Sequence, residues 1–203
     1  MDTQTETLEH APPRRVAVLC PGPSLKDFPG RNGFAAVVAV NRAAKAVEAD
    51  YWVSLDHHTI GKAWGGGTPA EQKKRDPLAI QGRPTLVCSL STYRRAKRHY
   101  PEAKNLAHLN HQSIKFPRKE LRWHRWGWAT AVLVAAFHCK ATEIECWGVD
   151  WEGKADFDGF GHSKMKRNDA RWASERAQWG RLVQALEKRG IRVTRHPRSE
   201  AVA

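Results

Sequence analysis

RVAVLCPGPS, residues 15–24, sets the fold class of this chain. Five of its first six residues are apolar with no polar alternation, the pattern of a strand covered on both faces. Two prolines and a glycine then stop that strand sharply. Outward from this stretch the pattern recurs. Short apolar runs lie at residues 35–40 (AAVVAV), 51–55 (YWVSL), 85–89 (TLVCS), 143–148 (EIECWG) and 191–194 (IRVT). Longer helical segments separate them. Residues 126–140 (WGWATAVLVAAFHCK) are apolar all round and predict a buried helix. Residues 169–189 predict an amphipathic one, with Trp172, Trp179, Leu182, Val183 and Leu186 near helical spacing and Gly190 as its stop. Strands alternating with helices predict an α/β fold, a Rossmann-like domain with a mostly parallel sheet flanked by helices. A length of 203 residues fits one such domain, over residues 15–203. Residues 1–14 read as a loose N-terminal tail, and 61–84, with Gly and Pro at both ends, as a mobile loop or lid.

Composition narrows the class. At 41% apolar residues the chain is too hydrophobic to be a disordered tail. It has no apolar run of about 18 residues, so no membrane span and no membrane partner is expected, and its N-terminus (MDTQTETLEHAPP) is unlike a secretory signal. Cys20, Cys88, Cys139 and Cys146 form no C-x-x-C pair, and three of them sit in apolar, strand-like or helix-like runs. Buried reduced thiols in a cytoplasmic protein are the expectation, and a zinc site is not.

The net charge of +13 is unevenly placed. Residues 1–70 carry seven Lys/Arg and seven Asp/Glu, whereas 71–203 carry 27 and 14. Arg94, Arg95, Lys97, Arg98, Arg118, Lys119 and Arg122 form a candidate polyanion-binding set, with DNA or RNA as the partner. Solubility alone is the plainer reading of the same charge. Trp123, Trp126 and Trp128 flank Arg122 and Arg125, a mix that suits either base stacking beside phosphates or a core.

Polar residues fall at the ends of several strands: Ser24, Asn41, Asp56 and Asp150. In open α/β sheets that edge forms the ligand crevice. The turn Gly22-Pro23-Ser24 is neither a Walker A loop nor G-x-G-x-x-G, but it is tight enough for backbone N–H groups to approach a phosphate. Taken singly, Ser24 also reads as a helix cap, and Asn41 and Asp56 as turn residues. Residues 148–164, GVDWEGKADFDGFGHSK, run from a strand end through a Gly- and aromatic-rich loop to His162, Ser163 and Lys164. His162 is placed to act as a general base, and Lys164 with Arg125 to offset charge on a departing phosphate. A surface histidine capping a helix is the alternative. Asp56-His57-His58 invites a metal reading, but adjacent histidines on a strand end point apart and no third ligand is evident, so no metal is expected.

Three blocks, in order, resemble the Campylobacter-type bacterial sialyltransferases and the related hydroxymethylpterin pyrophosphokinase-like proteins. The first is VLCPGPSLKDF (18–28) with AVNRAA (39–44) behind it. The second is HRWGWATAVLVAAFHCKATEIECWGVDW (124–151). The third is GHSK (161–164), followed later by His196-Pro197-Arg198-Ser199. The resemblance implies a sialyltransferase-like, GT-A-like domain. It implies transfer of a sugar from a cytidine-monophosphate donor to an acceptor hydroxyl, with inversion and no obligatory metal or other cofactor. It casts His162 as the base. It puts Gly22, Pro23, Ser24, Asn41, Arg125, Thr130, Asp150, Trp151, Lys164, Pro197 and Ser199 around the donor nucleotide.

The chain also departs from the pattern. Pro21 replaces the family's asparagine, and Trp128, with Thr130 nearby, replaces a small serine. The loop before His162 is shorter. Glu152 follows Trp151, and no tyrosine occurs after Tyr100 to hold the donor phosphate, leaving Lys154, Lys164 or Arg167 to do so. The expected function is nucleotide-sugar-dependent glycosyl transfer, with a nucleic acid as one possible acceptor. The alternatives are a pyrophosphokinase-like transferase using a metal at Asp56 and Asp150, and a non-catalytic nucleotide- or nucleic-acid-binding protein.

Overall fold

The computed structural model describes residues 12–63, 80–101, 107–117, 126–152, 156–158 and 168–198. Seven strands form its sheet: β1 (Arg15–Leu19), β2 (Ala36–Val40), β3 (Tyr51–Val53), β4 (Thr85–Cys88), β5 (His108–Asn110), β6 (Glu143–Trp147) and β7 (Arg192–Arg195). Their order across the sheet is β5-β4-β3-β2-β1-β6-β7, and every ladder is parallel. The chain therefore steps outward from β1 to β5, then crosses back to lay β6 against the free side of β1. That reversal is the topological switch point of a doubly wound sheet.

The unbroken apolar runs follow from helices covering both faces. Val16 and Val18 point to one side, against α3 (Gly127–Leu133) and α4 (Asp169–Glu187), where Ala129, Val132, Leu133, Leu182 and Leu186 are buried. Ala17 and Leu19 point to the other, with Trp52, Ile60 of α1 (His57–Ala63) and Ala96 of α2 (Leu90–His99). Caps fix the helix starts. The Ser89 side chain accepts from Thr92 N at 3.0 Å, and Asn168 Oδ1 accepts from Arg171 N at 3.0 Å. Gly190, at φ +74°, closes α4 as its stop.

The structure differs from the sequence expectation in several places. β5 is an additional strand of three residues with Leu109 as its single apolar side chain, too short to carry a hydrophobic period to read. β3 ends at Val53, two residues early, because the chain turns there toward α1. The helix expected over 126–140 is α-helical only through Leu133 and continues as a π-turn over Val134–His138. Arg14, at the end of the stretch read as a tail, donates its backbone N–H to Thr142 Oγ1 at 2.8 Å.

All four cysteines are free and buried. Burial pushes the Cys88 and Cys139 thiols up to about 12 and also raises those of Cys20 and Cys146, so none is a ready nucleophile.

Candidate functional site

The exits of β1 and β6 are tied together at the switch point. Gly22 N donates to Gly148 O at 2.9 Å, and Cys20 N to Trp147 O at 2.8 Å. Two glycines permit this closeness. A Cβ on Gly22 would sit 2.5 Å from both Gly148 O and Asp150 Oδ2. A Cβ on Gly148, whose φ is +70°, would drive into the carbonyl oxygen of Cys20. Pro23 opens a short 3-10 turn, Pro23–Asp27. Ser24 is fully buried: its hydroxyl accepts from Gly148 N at 2.8 Å, and its own N–H donates to Asp150 Oδ2 at 2.7 Å. Two residues matched from distant parts of the sequence thus meet directly. The carboxylate of Asp150 fills the anion seat at this turn, so the Ser24 N–H, expected to face a phosphate, is satisfied internally.

Asn41 follows β2 with a left-handed φ of +47°. Its carbonyl accepts from Trp52 Nε1 at 3.0 Å. Its Oδ1 is shut off from solvent and has no hydrogen-bond partner among the described residues. A buried acceptor left open costs free energy unless a ligand or water meets it. Gly127, at the start of α3, stands beside the Asn41 amide.

The next residue, Arg42, is buried. It pairs with Asp156 at 3.8 Å and with Asp158, to which Lys45 Nζ is also bonded at 3.2 Å. Phe157 N donates to Pro21 O at 2.7 Å. Residues 156–158 are thereby anchored across the exits of β1 and β2. Removing Arg42 would leave the Asp156 carboxylate, 1% exposed, without this countercharge. Arg42→Met is expected to lower the unfolding free energy by about 3 kcal/mol in denaturant titration.

α4 walls the other side. Glu175 is buried and accepts from Trp128 Nε1 at 3.0 Å and from Arg171 Nε at 2.8 Å. Trp151 packs edge-on to Trp179 with ring centroids 5.7 Å apart, and the Arg195 guanidinium lies 4.6 Å over the Trp151 ring. Trp151 Nε1 is a second buried polar atom without a hydrogen-bond partner among the described residues. Burial foremost, then the charges of Cys146, Glu175 and Asp150, raise the Cys20 thiol, which places both carboxylates close to the β1 exit. The sequence reading missed Arg42, Asp156, Asp158 and Glu175. Arg42 stood in the quoted AVNRAA block, and the i,i+4 spacing of Arg171 and Glu175 was a visible signal.

The remaining residues fall as follows. Thr130 is buried in α3. Pro197 is exposed just past β7, where His196 stacks on Trp147 at 4.2 Å. Asp56 caps α1, its Oδ1 accepting from His58 N at 2.9 Å and its Oδ2 from Thr59 Oγ1 at 3.1 Å. Asp56 and Asp150 follow β3 and β6, three strand spacings apart, or about 14 Å at ~4.8 Å per spacing, too far to share one ion. Among the described residues no group of three or more His, Cys, Asp or Glu is arranged to hold a metal. Arg94, Arg95, Lys97 and Arg98 lie on α2. His162, Lys164, Arg125, Ser199, Arg118, Lys119, Arg122, Trp123, Lys154 and Arg167 lie outside the described residues, as do 64–79 of the expected lid.

A parallel sheet with polar groups gathered where its strand order reverses defines a Rossmann-type α/β protein with its candidate ligand crevice at the β1/β6 exits. No protein-family model matches the chain, and no curated protein matches it in sequence. Among solved structures it is similar to the crystal structure of the sialyltransferase CST-II in complex with trisaccharide acceptor and CMP. The TM-score is 0.47 and the identity 14%, over 89% of this chain and 80% of that one. Among the described residues no helix is long and apolar enough to cross a membrane.

Proposed function

We propose that this protein is an inverting glycosyltransferase that takes its sugar from a nucleotide donor of the CMP type. The observation that carries the reading is the meeting of Gly22–Ser24 with Gly148–Asp150 at the switch point, with Asn41 at the exit of the neighbouring strand β2 and its Oδ1 without a hydrogen-bond partner among the described residues. Those are the segments on which the sequence resemblance rests.

Ser24 and Asp150 shape the floor, and Asn41 offers its acceptor to a donor group on the nucleotide. Because Asp150 already occupies the turn, the donor phosphate is met by cations, for which Arg125 and Lys164 are our candidates. In the reaction the acceptor oxygen forms its bond to the anomeric carbon as the bond from that carbon to the phosphate oxygen breaks. The nucleotide leaves with the electron pair, and the His162 imidazole takes the acceptor's proton.

A thermal-shift series with nucleoside phosphates and nucleotide sugars tests this. A donor at a hundred times its Kd is expected to stabilise the fold by about 2.7 kcal/mol. Asn41→Gly keeps the left-handed backbone without strain while deleting the amide. It is expected to weaken the best nucleotide about tenfold, or about 1.4 kcal/mol. A flat response to every nucleotide and nucleotide sugar would overturn the reading.

A further inference from the structure

α2 (LSTYRRAKRH) contains no acidic residue. Arg94, Arg95 and Arg98 are exposed, and none pairs with a carboxylate among the described residues. At 100° per residue these three fall within one third of the helix circumference, so they form one outward row.

α1 packs on α2, with Gly61 against the Tyr100 ring, and brings a second feature to this row. The expectation that His57 and His58 point apart is corrected here: they begin a helix rather than end a strand, and their rings lie 4.0 Å apart. His99 of α2 adds a third imidazole, 5.3 Å from His57 and 6.1 Å from His58. His58 Nδ1 is 3.0 Å from Tyr100 Oη. His57 Nε2 is shut off from solvent without a partner among the described residues. Among the described residues Asp56 is the one carboxylate paired with the group, 3.7 Å from His57 Nδ1, and it is already shared with the His58 N–H and Thr59 hydroxyl. Burial first, then His58, Arg95 and His99, hold His57 below its ordinary range against the opposing pull of Asp56.

We propose that the exposed face of α2 binds the phosphate backbone of a nucleic acid, and that the adjoining His57, packed against the rings of His58 and His99, takes up a proton on binding, so that affinity rises on acidification. Phosphates laid along Arg94, Arg95 and Arg98 supply the negative charge that the imidazole cluster lacks. An anionic membrane fits this face poorly. Leu90 is the one exposed large hydrophobic side chain among the described residues, and an interfacial helix needs a continuous apolar face. The inference stands apart from the donor site.

In the free protein the sign is opposite. A histidine held below its unfolded value binds fewer protons in the native state, so stability is lost as pH falls below ~6.5. The melting temperature of the free protein is expected to be lower at pH 5.5 than at pH 7.5, and added oligonucleotide to narrow that gap.

Fluorescence anisotropy with the full chain and labelled 20-mer DNA, single-stranded and duplex, tests the proposal. The expected slope of log K against log salt is about −2 to −3, and Arg94→Ala/Arg98→Ala is expected to reduce it by nearly 2. Affinity is expected to be about tenfold higher at pH 6 than at pH 8, the effect of about half a proton taken up on average over those two pH units. Because His57→Gln/His99→Gln could fail to fold, the imidazoles of the wild-type chain are also titrated by NMR with and without DNA. Higher imidazole pKa values in the complex support the proposal. It is overturned by absent or salt-independent binding, by unchanged imidazole titration, by equal loss in Arg176→Ala/Arg181→Ala on α4, or by equal affinity for phosphatidylserine vesicles.

Discussion

Gly148→Ala is expected to cost more than about 4 kcal/mol and to leave the protein largely unfolded at 37 °C. Two effects add. The residue's φ of +70° is a left-handed conformation that costs a residue with a Cβ about 1–2 kcal/mol. The new methyl would also enter the Cys20 carbonyl oxygen, a backbone atom that cannot rotate away. Cys20 is itself held by its N–H to Trp147 O at 2.8 Å, so relief requires opening the β1–β6 seam. Gly190→Ala is the control. Its φ is +74°, but a Cβ there meets nothing within 4 Å. It should cost only the backbone term, about 1–2 kcal/mol. Urea titration of both variants separates the terms. A Gly148→Ala protein melting with Gly190→Ala would mean that the strand exits are not in contact.

His162→Ala is expected to lower turnover by about a thousandfold, within the range for loss of a general base, while the nucleotide-induced thermal shift stays as in wild type. The acceptor hydroxyl has no charge to attract the sugar until its proton is leaving, so the loss falls on the bond-making step. Asn41→Gly should do the reverse, raising KM for the donor with kcat little changed. Release of the nucleoside monophosphate in single-turnover assays is the measurement. Unchanged turnover in His162→Ala would remove this residue from the chemistry.

The internal bond from Ser24 N to Asp150 bears on both results. It makes the turn after β1 part of the framework, stiff before any ligand arrives. In the proposed reading recognition then falls to other groups, and Asn41 Oδ1 and Trp151 Nε1 are buried polar atoms near these strand exits that have no hydrogen-bond partner among the described residues. Such an arrangement favours affinity by limiting what must be ordered on binding.

By itself the sequence determined the class of fold, six of the seven strands, both principal helices, the buried cysteines and the segments that end at the ligand edge. These follow from local burial, which leaves a period of one, two or 3.6 residues in any chain that must hide apolar surface. β5 escaped because three residues with a single leucine, on a sheet edge, are too short to show such a period. Tertiary structure alone decided that β6 lies against β1, and hence that Ser24 meets Asp150 across 126 positions. It also decided that Arg42 finds Asp156 and Asp158, and that His99 joins His57 and His58. Strand order and helix docking depend on how whole faces pack together. A pattern of local hydrophobicity says which side of an element is hidden, but not which other element hides it.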